Sequence, residues 1–441
     1  MTIRNLQHMF DPKSVVLIGA SQRPGSVGNW LAKNLAQGFG GSVNFVNPKG
    51  GTIEGKTCHR RLADLKEPAE LGVIVTPAAT IPGLIAELGA SGTRAAVVIS
   101  AGITGELRQA MLNAAQPHCL RILGPNCIGL ALPHIGLNAT FSHIAAPKGD
   151  LAFLSQSGAL ITGVLDWASS RAIGFTQVVS LGDMADVDFG DLLDYLAGDT
   201  KCRAILMYME AVTHARKFMS AARRAARAKP VVVIKSGRHA ASAQAASSHT
   251  GALAGLDAAY DAAFRRAGVL RVGDLLELSS AAEMVARTPR LMGERLAILT
   301  NGGGAGVLAV DRLLDRDGTM AELSTTTIET LNKVLPATWS HANPVDIIGD
   351  AGPDRYGAAL EALLADPGTD AVLVINCPTA VASNVEAAKT VIATADAASH
   401  VYRRKKPILA NWLGEKTAME AQSLLAGASI ANFQTPGEAV D

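Results

Sequence analysis

Apolar residues in this chain gather in short continuous runs and do not alternate with polar ones. Examples are Val15-Val16-Leu17-Ile18, Val73-Ile74-Val75, Ala96-Val97-Val98-Ile99 and Leu151-Ala152-Phe153-Leu154. Ile205-Leu206-Met207, Val231-Val232-Val233-Ile234, Leu296-Ala297-Ile298-Leu299 and Val372-Leu373-Val374-Ile375 continue the series. Runs of this length, bounded by turn residues, predict strands covered on both faces. Three of them open the same unit: a strand, a turn of Gly and Ser, then a helix of small residues. The turns are Gly19-Ala20-Ser21 with Gly25-Ser26-Val27-Gly28, Ser155-Gln156-Ser157-Gly158, and Thr300-Asn301-Gly302-Gly303-Gly304-Ala305-Gly306. Ala- and Leu-rich stretches between runs, such as residues 215–227, predict helices. Strands alternating with helices predict parallel α/β units.

Turn residues collect at Ala146-Pro147-Lys148-Gly149-Asp150 and at Thr288-Pro289-Arg290-Leu291-Met292-Gly293. They divide the chain into three Rossmann- or flavodoxin-like parallel-sheet domains, 1–146, 147–288 and 289–441, with ligands expected at the carboxyl ends of the strands. Composition adjusts this picture in two ways. At 48% hydrophobic but only 4% aromatic residues, the cores must be built from Ala, Val, Leu and Ile, and 43 glycines suit many strand-to-helix turns. A formal net charge of +1 gives no electrostatic reason to bind nucleic acid or an acidic membrane surface. No apolar run approaches membrane-spanning length, and Met1-Thr2-Ile3-Arg4-Asn5 has no signal core. The five cysteines are scattered without metal-ligand spacing, which predicts reduced cytoplasmic thiols and no metal site.

Candidate chemistry sits in the turns. Gly19 allows a tight turn after the first strand, and Gly25 and Gly28 let backbone N–H groups approach a phosphate at a helix N-terminus. The Gly19-to-Gly25 spacing is too long for the dinucleotide fingerprint. The next strand ends in Asn47-Pro48-Lys49 where a nicotinamide enzyme would carry an acidic residue, so the loop suits a ligand with additional phosphate charge. The turns Ser155 to Gly158 and Gly303 to Gly306 offer N–H groups and a helix dipole to a phosphoryl group. Glu210 lies at the carboxyl end of a strand, where a carboxylate can hold one nitrogen of an imidazole and leave the other to attack phosphorus. The imidazole is His249, in the small-residue run Ser247-Ser248-His249-Thr250-Gly251-Ala252, read as an exposed loop. Asp183, Asp186, Asp188, Asp191 and Asp194 fit no calcium loop and are read as a solvated face, with Asp188 as the N-cap of a helix through Tyr195.

In this order, Val16-Leu17-Ile18-Gly19-Ala20-Ser21 with Gly25-Ser26-Val27-Gly28, Val46-Asn47-Pro48-Lys49, Gly124-Pro125-Asn126-Cys127, Ser155-Gln156-Ser157-Gly158, Ser248-His249-Thr250-Gly251-Ala252 and Asn343-Pro344-Val345-Asp346 resemble one family along essentially the whole chain. It is the α-type portion of NDP-forming acyl-CoA synthetases, of the ADP-forming acetate–CoA ligase type and related to the succinyl-CoA synthetase α subunit. The resemblance implies a CoA-binding first domain lined by Gly19, Ser21, Gly25, Ser26, Val27, Gly28 and Lys49, by Thr76 and Pro77, by Ser100, Ala101 and Gly102, and by Asn126 and Cys127. It implies a ligase second domain in which His249 is phosphorylated and Glu210 orients it, and a flavodoxin-like third domain. Ser155, Gln156, Ser157 and Gly158, with Gly303, Gly304, Ala305 and Gly306, match the loops that open the two helices facing the phosphohistidine. The implied reaction is acyl-CoA + phosphate + NDP ⇌ carboxylic acid + CoA + NTP.

The family also uses an ATP-grasp domain for nucleotide and Mg²⁺, and no grasp pattern is evident in this chain. The expectation is therefore an ATP-grasp β subunit or fused domain as partner, in an oligomer. The alternative reading is a non-catalytic CoA- or ligand-sensing module of a larger protein acetyltransferase. An NADP-dependent oxidoreductase is disfavoured by the missing fingerprint.

Overall fold

The computed structural model describes residues 3–239, 241–242, 256–289, 291–401 and 405–441. His249 lies outside the described residues. The chain divides into two compact units, Met1–Leu278 and Ser279–Asp441. The first holds two seven-stranded sheets and the second a six-stranded sheet, so the expected class, three mostly parallel α/β sheets, is what the chain adopts.

The first sheet contains Ser14–Ile18 (β1), Ser42–Val46 (β2), Gly51–Ile53 (β3), Lys56–His59 (β4), Leu71–Ile74 (β5), Ala95–Val98 (β6) and Arg121–Leu123 (β7), in the order β3-β4-β2-β1-β5-β6-β7. Only the β3–β4 edge is antiparallel. The second contains Gly129–Leu132 (β8), Leu137–Thr140 (β9), Lys148–Ser155 (β10), Phe175–Ser180 (β11), Ala204–Met209 (β12), Val231–Lys235 (β13) and Leu270–Val272 (β14), in the order β14-β13-β12-β10-β11-β8-β9. Here β8 runs antiparallel to β11 and to β9. Residues 129–140 thus pair in the second sheet. The third sheet holds Arg295–Thr300 (β15), Thr319–Met320 (β16), Val345–Asp346 (β17), Ala371–Asn376 (β18), Ile408–Trp412 (β19) and Ala431–Asn432 (β20), ordered β16-β15-β18-β19-β20 with β17 beside β15.

The continuous apolar runs have a direct cause. In β1, Val15 and Leu17 enter one buried cluster and Val16 and Ile18 another. In β15, Ala297 and Leu299 face one cluster and Leu296 and Ile298 the other. Both strands are buried on both faces, so their central positions are apolar.

The helices that matter for function follow strands: Val27–Ala36 (α1), Gly158–Ser170 (α2), Phe189–Ala197 (α3), Ala215–Ala228 (α4), Asp257–Ala267 (α5) and Gly303–Asp315 (α6). The first two sheets are joined by more than the connecting chain. Backbone hydrogen bonds run from Ala185 N–H to Gly124 O (2.9 Å) and from Val187 N–H to Ile122 O (3.1 Å).

Of the aspartates read above as a solvated face, Asp188 and Asp191 are instead buried in an ionic lock. Asp188 and Asp191 are 4% and 2% exposed. Asp188 caps α3, its Oδ1 accepting from Gly190 N–H (2.8 Å) and Asp191 N–H (3.2 Å). Lys217 of α4 lies 2.9 Å from both carboxylates, and Arg121 of β7 is 3.3 Å from Asp191 and 2.9 Å from Asp186. The sequence spacing did not reveal this because the cations that neutralise the aspartates come from a strand and a helix distant in the chain. No helix among the described residues is long and apolar enough to cross a membrane.

Candidate functional site

The turn after β1 is shaped by backbone contact. Gly19 has φ +96°, and a Cβ there would lie 2.5 Å from Val75 O. A Cβ on Gly28, in the first turn of α1, would lie 2.2 Å from Gly19 O. Only glycine allows the loop and helix to approach so closely. Gly25, by contrast, has open space around it. Ser26 caps α1, accepting from Asn29 N–H at 3.3 Å, and Asn29 Nδ2 donates to Ser21 O at 3.1 Å.

The other loops expected to line this site join the same edge. Asn47 Nδ2 donates to Ala20 O (2.8 Å) while its Oδ1 accepts from Lys49 N–H (2.9 Å), tying the Lys49 loop to the Gly19–Ser21 turn. Ser100 Oγ donates to Thr76 O (2.6 Å). Asn126 N–H donates to Ser100 O (3.0 Å), and its side chain reaches Asp183 (3.1 Å). The loops after β1, β2, β5, β6 and β7 thus form a hydrogen-bonded rim along the carboxyl edge of the first sheet. Lys49 is exposed on it.

Cys127 differs from its neighbours. It is 5% exposed, its Sγ donates to Val98 O at 3.4 Å, and burial pushes its thiol up to about 12. Nucleophilicity belongs to the thiolate. Cys127 should therefore resist iodoacetamide at pH 8 in the native protein and react fully in urea; peptide mass spectrometry of alkylated samples checks this, and native alkylation of Cys127 would contradict the burial.

At the second sheet, Ser155 Oγ accepts from Ser157 N–H (3.1 Å) and donates to Ser157 O (2.7 Å), folding the turn that opens α2. Gln156, 9% exposed, turns its carboxamide inward. Its Oε1 accepts from Glu210 N–H (2.6 Å) and Ala211 N–H (2.9 Å), and its own N–H donates to Tyr208 O (3.2 Å). The side chain of Gln156 is therefore engaged with the β12 terminus; what it leaves for a phosphate is its place in the turn. The next amide, Val212 N–H, donates to Tyr260 Oη of α5 at 3.3 Å. Lys235 Nζ, at the end of β13, stands 4.5 Å from the centre of the Tyr260 ring, and burial holds its pKa below the ordinary lysine value. Glu210 itself is half-buried at the carboxyl end of β12.

The third sheet repeats this construction. Thr300 Oγ1 accepts from Gly302 N–H and donates to Gly302 O, both at 3.0 Å, and Gly302 caps α6. Asn301 Oδ1 accepts from Cys377 N–H (2.7 Å) and its Nδ2 donates to Cys377 O (2.9 Å). An amide one residue past the strand thus pins the first residue beyond the neighbouring strand in both sheets. Gly303, Gly304, Ala305 and Gly306 form the first turn of α6. Tyr260, Lys235 and Asn29 carry no motif and were not singled out from sequence; the Gln156/Asn301 equivalence was visible as an amide at the same place in two turns.

A CoA-type Rossmann rim followed by two ligase-type sheets defines a class of acyl-CoA ligases. Residues 13–133 match the family described as CoA binding domain, 148–285 the succinyl-CoA ligase like flavodoxin domain, and 296–439 the ligase-CoA domain. The chain is 37% identical to the α subunit of acetate–CoA ligase (ADP-forming) I of Pyrococcus furiosus, covering 99% of this chain and 96% of that subunit. It is 40% identical to acetate–CoA ligase (ADP-forming) I of Archaeoglobus fulgidus, covering 99% of this chain but only 62% of that longer protein. Among solved structures it resembles the dinucleotide-forming acetyl-coenzyme A synthetase 1 of Ca. Korarchaeum cryptofilum in complex with phosphate and ADP, with TM-score 0.94 and 34% identity over 99% of this chain and 94% of that one. The chain belongs to the family of ADP-forming acetate–CoA ligases, as their α-type portion.

Proposed function

We propose that this chain is the α module of an NDP-forming acyl-CoA synthetase, dividing into a CoA-binding domain (1–146), a phosphohistidine domain (147–288) and a flavodoxin-like ligase domain (289–441). The observation that carries this reading is Glu210 at the end of β12, its backbone N–H held by Gln156 of the turn that opens α2. In the reaction, a phosphate oxygen attacks the thioester carbonyl; the C–S bond breaks and CoA leaves as the thiolate. A ring nitrogen of His249 then attacks phosphorus in the acyl phosphate, the P–O bond to the acyl group breaks, and the carboxylate leaves. The phosphohistidine finally passes its phosphoryl group to a nucleoside diphosphate held with Mg²⁺ by an ATP-grasp partner, as a β subunit or fused region, in the cytoplasm. Glu210 orients the imidazole and stabilises its charged form. The turn Ser155–Gly158 offers a phosphoryl group the N-terminus of α2, and Gly303–Gly306 form the corresponding phosphate-binding turn of α6. Gly19, Ser21, Gly25–Gly28, Lys49, Thr76, Pro77, Ser100–Gly102 and Asn126 line the CoA site, with Cys127 contributing packing.

Incubating the chain with acetyl-CoA and radiolabelled phosphate tests the reading: acid-labile, base-stable label on the protein is expected. No label in a system completed with an ATP-grasp partner and NTP would favour the sensing module instead. The CoA site has its own test. Lys49→Ala removes one charge-assisted contact and should weaken CoA binding by about 1.5–3 kcal/mol. Calorimetry reads it; equal affinity in the variant would remove Lys49 from the site.

A further inference from the structure

We propose that Gln156 and Tyr260 are positioning residues that set Glu210 for the phosphohistidine step, an inference that rests on the reading above. Three successive amides beyond β12 are held by side chains from two other elements. Gln156 Oε1 takes the N–H groups of Glu210 and Ala211 at 2.6 and 2.9 Å, and Tyr260 Oη takes that of Val212 at 3.3 Å. The following residue is held as well, Thr213 Oγ1 donating to Asp188 Oδ2 at 2.8 Å. A strand end normally leaves its outgoing amides to water or a turn; here they are satisfied by an amide and a phenol placed for the purpose.

The consequence is geometric. Gln156 belongs to the turn that opens α2 and Glu210 to the end of β12, so one carboxamide couples the proposed phosphate-binding turn to the proposed imidazole-orienting carboxylate. A carboxylate that must hold an imidazole at hydrogen-bond distance tolerates little displacement. Tyr260 braces the same segment from α5, with Lys235 over its ring face at 4.5 Å. Asn301 shows what the device does in general: in the third sheet the equivalent amide pins Cys377 by both its N–H and C=O. The clamp fixes whichever residue follows the neighbouring strand, and only in the second sheet is that residue a glutamate.

The test is a double-mutant cycle on the full chain, reading the rate of base-stable labelling from acetyl-CoA and radiolabelled phosphate. Gln156→Leu should slow labelling roughly tenfold while CoA affinity, measured by calorimetry, stays at the wild-type value. Tyr260→Phe keeps the packing and should slow labelling several-fold, which covers the case of a poorly folded Leu variant. In a Glu210→Gln background, Gln156→Leu should add less than about twofold, because a residue acting through Glu210 has nothing left to position. Equal slowing in both backgrounds, or unchanged labelling in both single variants, overturns the positioning role. An unlabelled wild type overturns the phosphocarrier reading and the proposal with it, whereas Glu210→Gln labelling at the wild-type rate overturns the role of Glu210 and the proposal alone.

Discussion

Replacing His249 by Asn removes phosphate labelling altogether and leaves CoA affinity within about twofold of wild type. Both halves of this result follow from chemistry. A phosphoryl carrier needs a nitrogen lone pair that is nucleophilic at neutral pH, which imidazole supplies and a carboxamide does not. Asn is close in size and polar, so the substitution changes the nucleophile while leaving the small-residue run around it intact. The loops tied together at the CoA rim, from Gly19 to Asn126, belong to the first sheet, whereas His249 follows β13 of the second. Mass spectrometry of the labelled peptide under non-acidic handling identifies the site. Undiminished label in the Asn variant, or label on another residue, rejects His249 as the carrier.

Asp191→Ala is expected to destabilise the chain by about 3 kcal/mol, because it removes a buried counterion shared by two partly buried cations. The side chain is 2% exposed, with Lys217 Nζ at 2.9 Å and Arg121 Nη2 at 3.3 Å. Its Oδ2 also accepts from Asp188 N–H at 3.1 Å, closing the capping box of α3. Burial disfavours the charged forms of Arg121 and Lys217, and the surrounding aspartates more than reverse this, holding both pKa values above their ordinary ones. Both therefore stay protonated through neutral pH, while burial pushes the Asp191 carboxyl above its usual range. Asp191→Asn keeps a capping acceptor and should be milder. Urea unfolding of the variants reads the effect; an Ala variant with the wild-type midpoint would show the lock to be dispensable.

These two expectations come from different sources. His249 and Glu210 stand out in the sequence because each interrupts a small-residue or apolar run. The strands were legible for a similar reason: Val15 to Ile18 must be apolar at every position when alternate side chains enter different cores. Asp188 as the cap of α3 was legible because capping is local, decided within three residues. The same locality explains the misreading of its neighbours. Whether Asp191 faces water depends on Arg121, 70 residues earlier in the numbering, and on Lys217 of another helix.

The chain's own residues, read in order, determined the parallel α/β architecture, the glycine turns at strand ends and the family, since periodicity, turn chemistry and motif order are written over short distances. The tertiary structure alone decided which side chains meet. It tied Asn47 to Ala20 and Ser100 to Thr76 along one rim, and sank the Cys127 thiol into the protein. It brought the Gln156 carboxamide to the Glu210 and Ala211 amides. It recruited Tyr260, which no local pattern marks, to the same segment. Hydrogen-bond partners across a sheet are set by strand order, and strand order is a property of the folded chain that no local window contains.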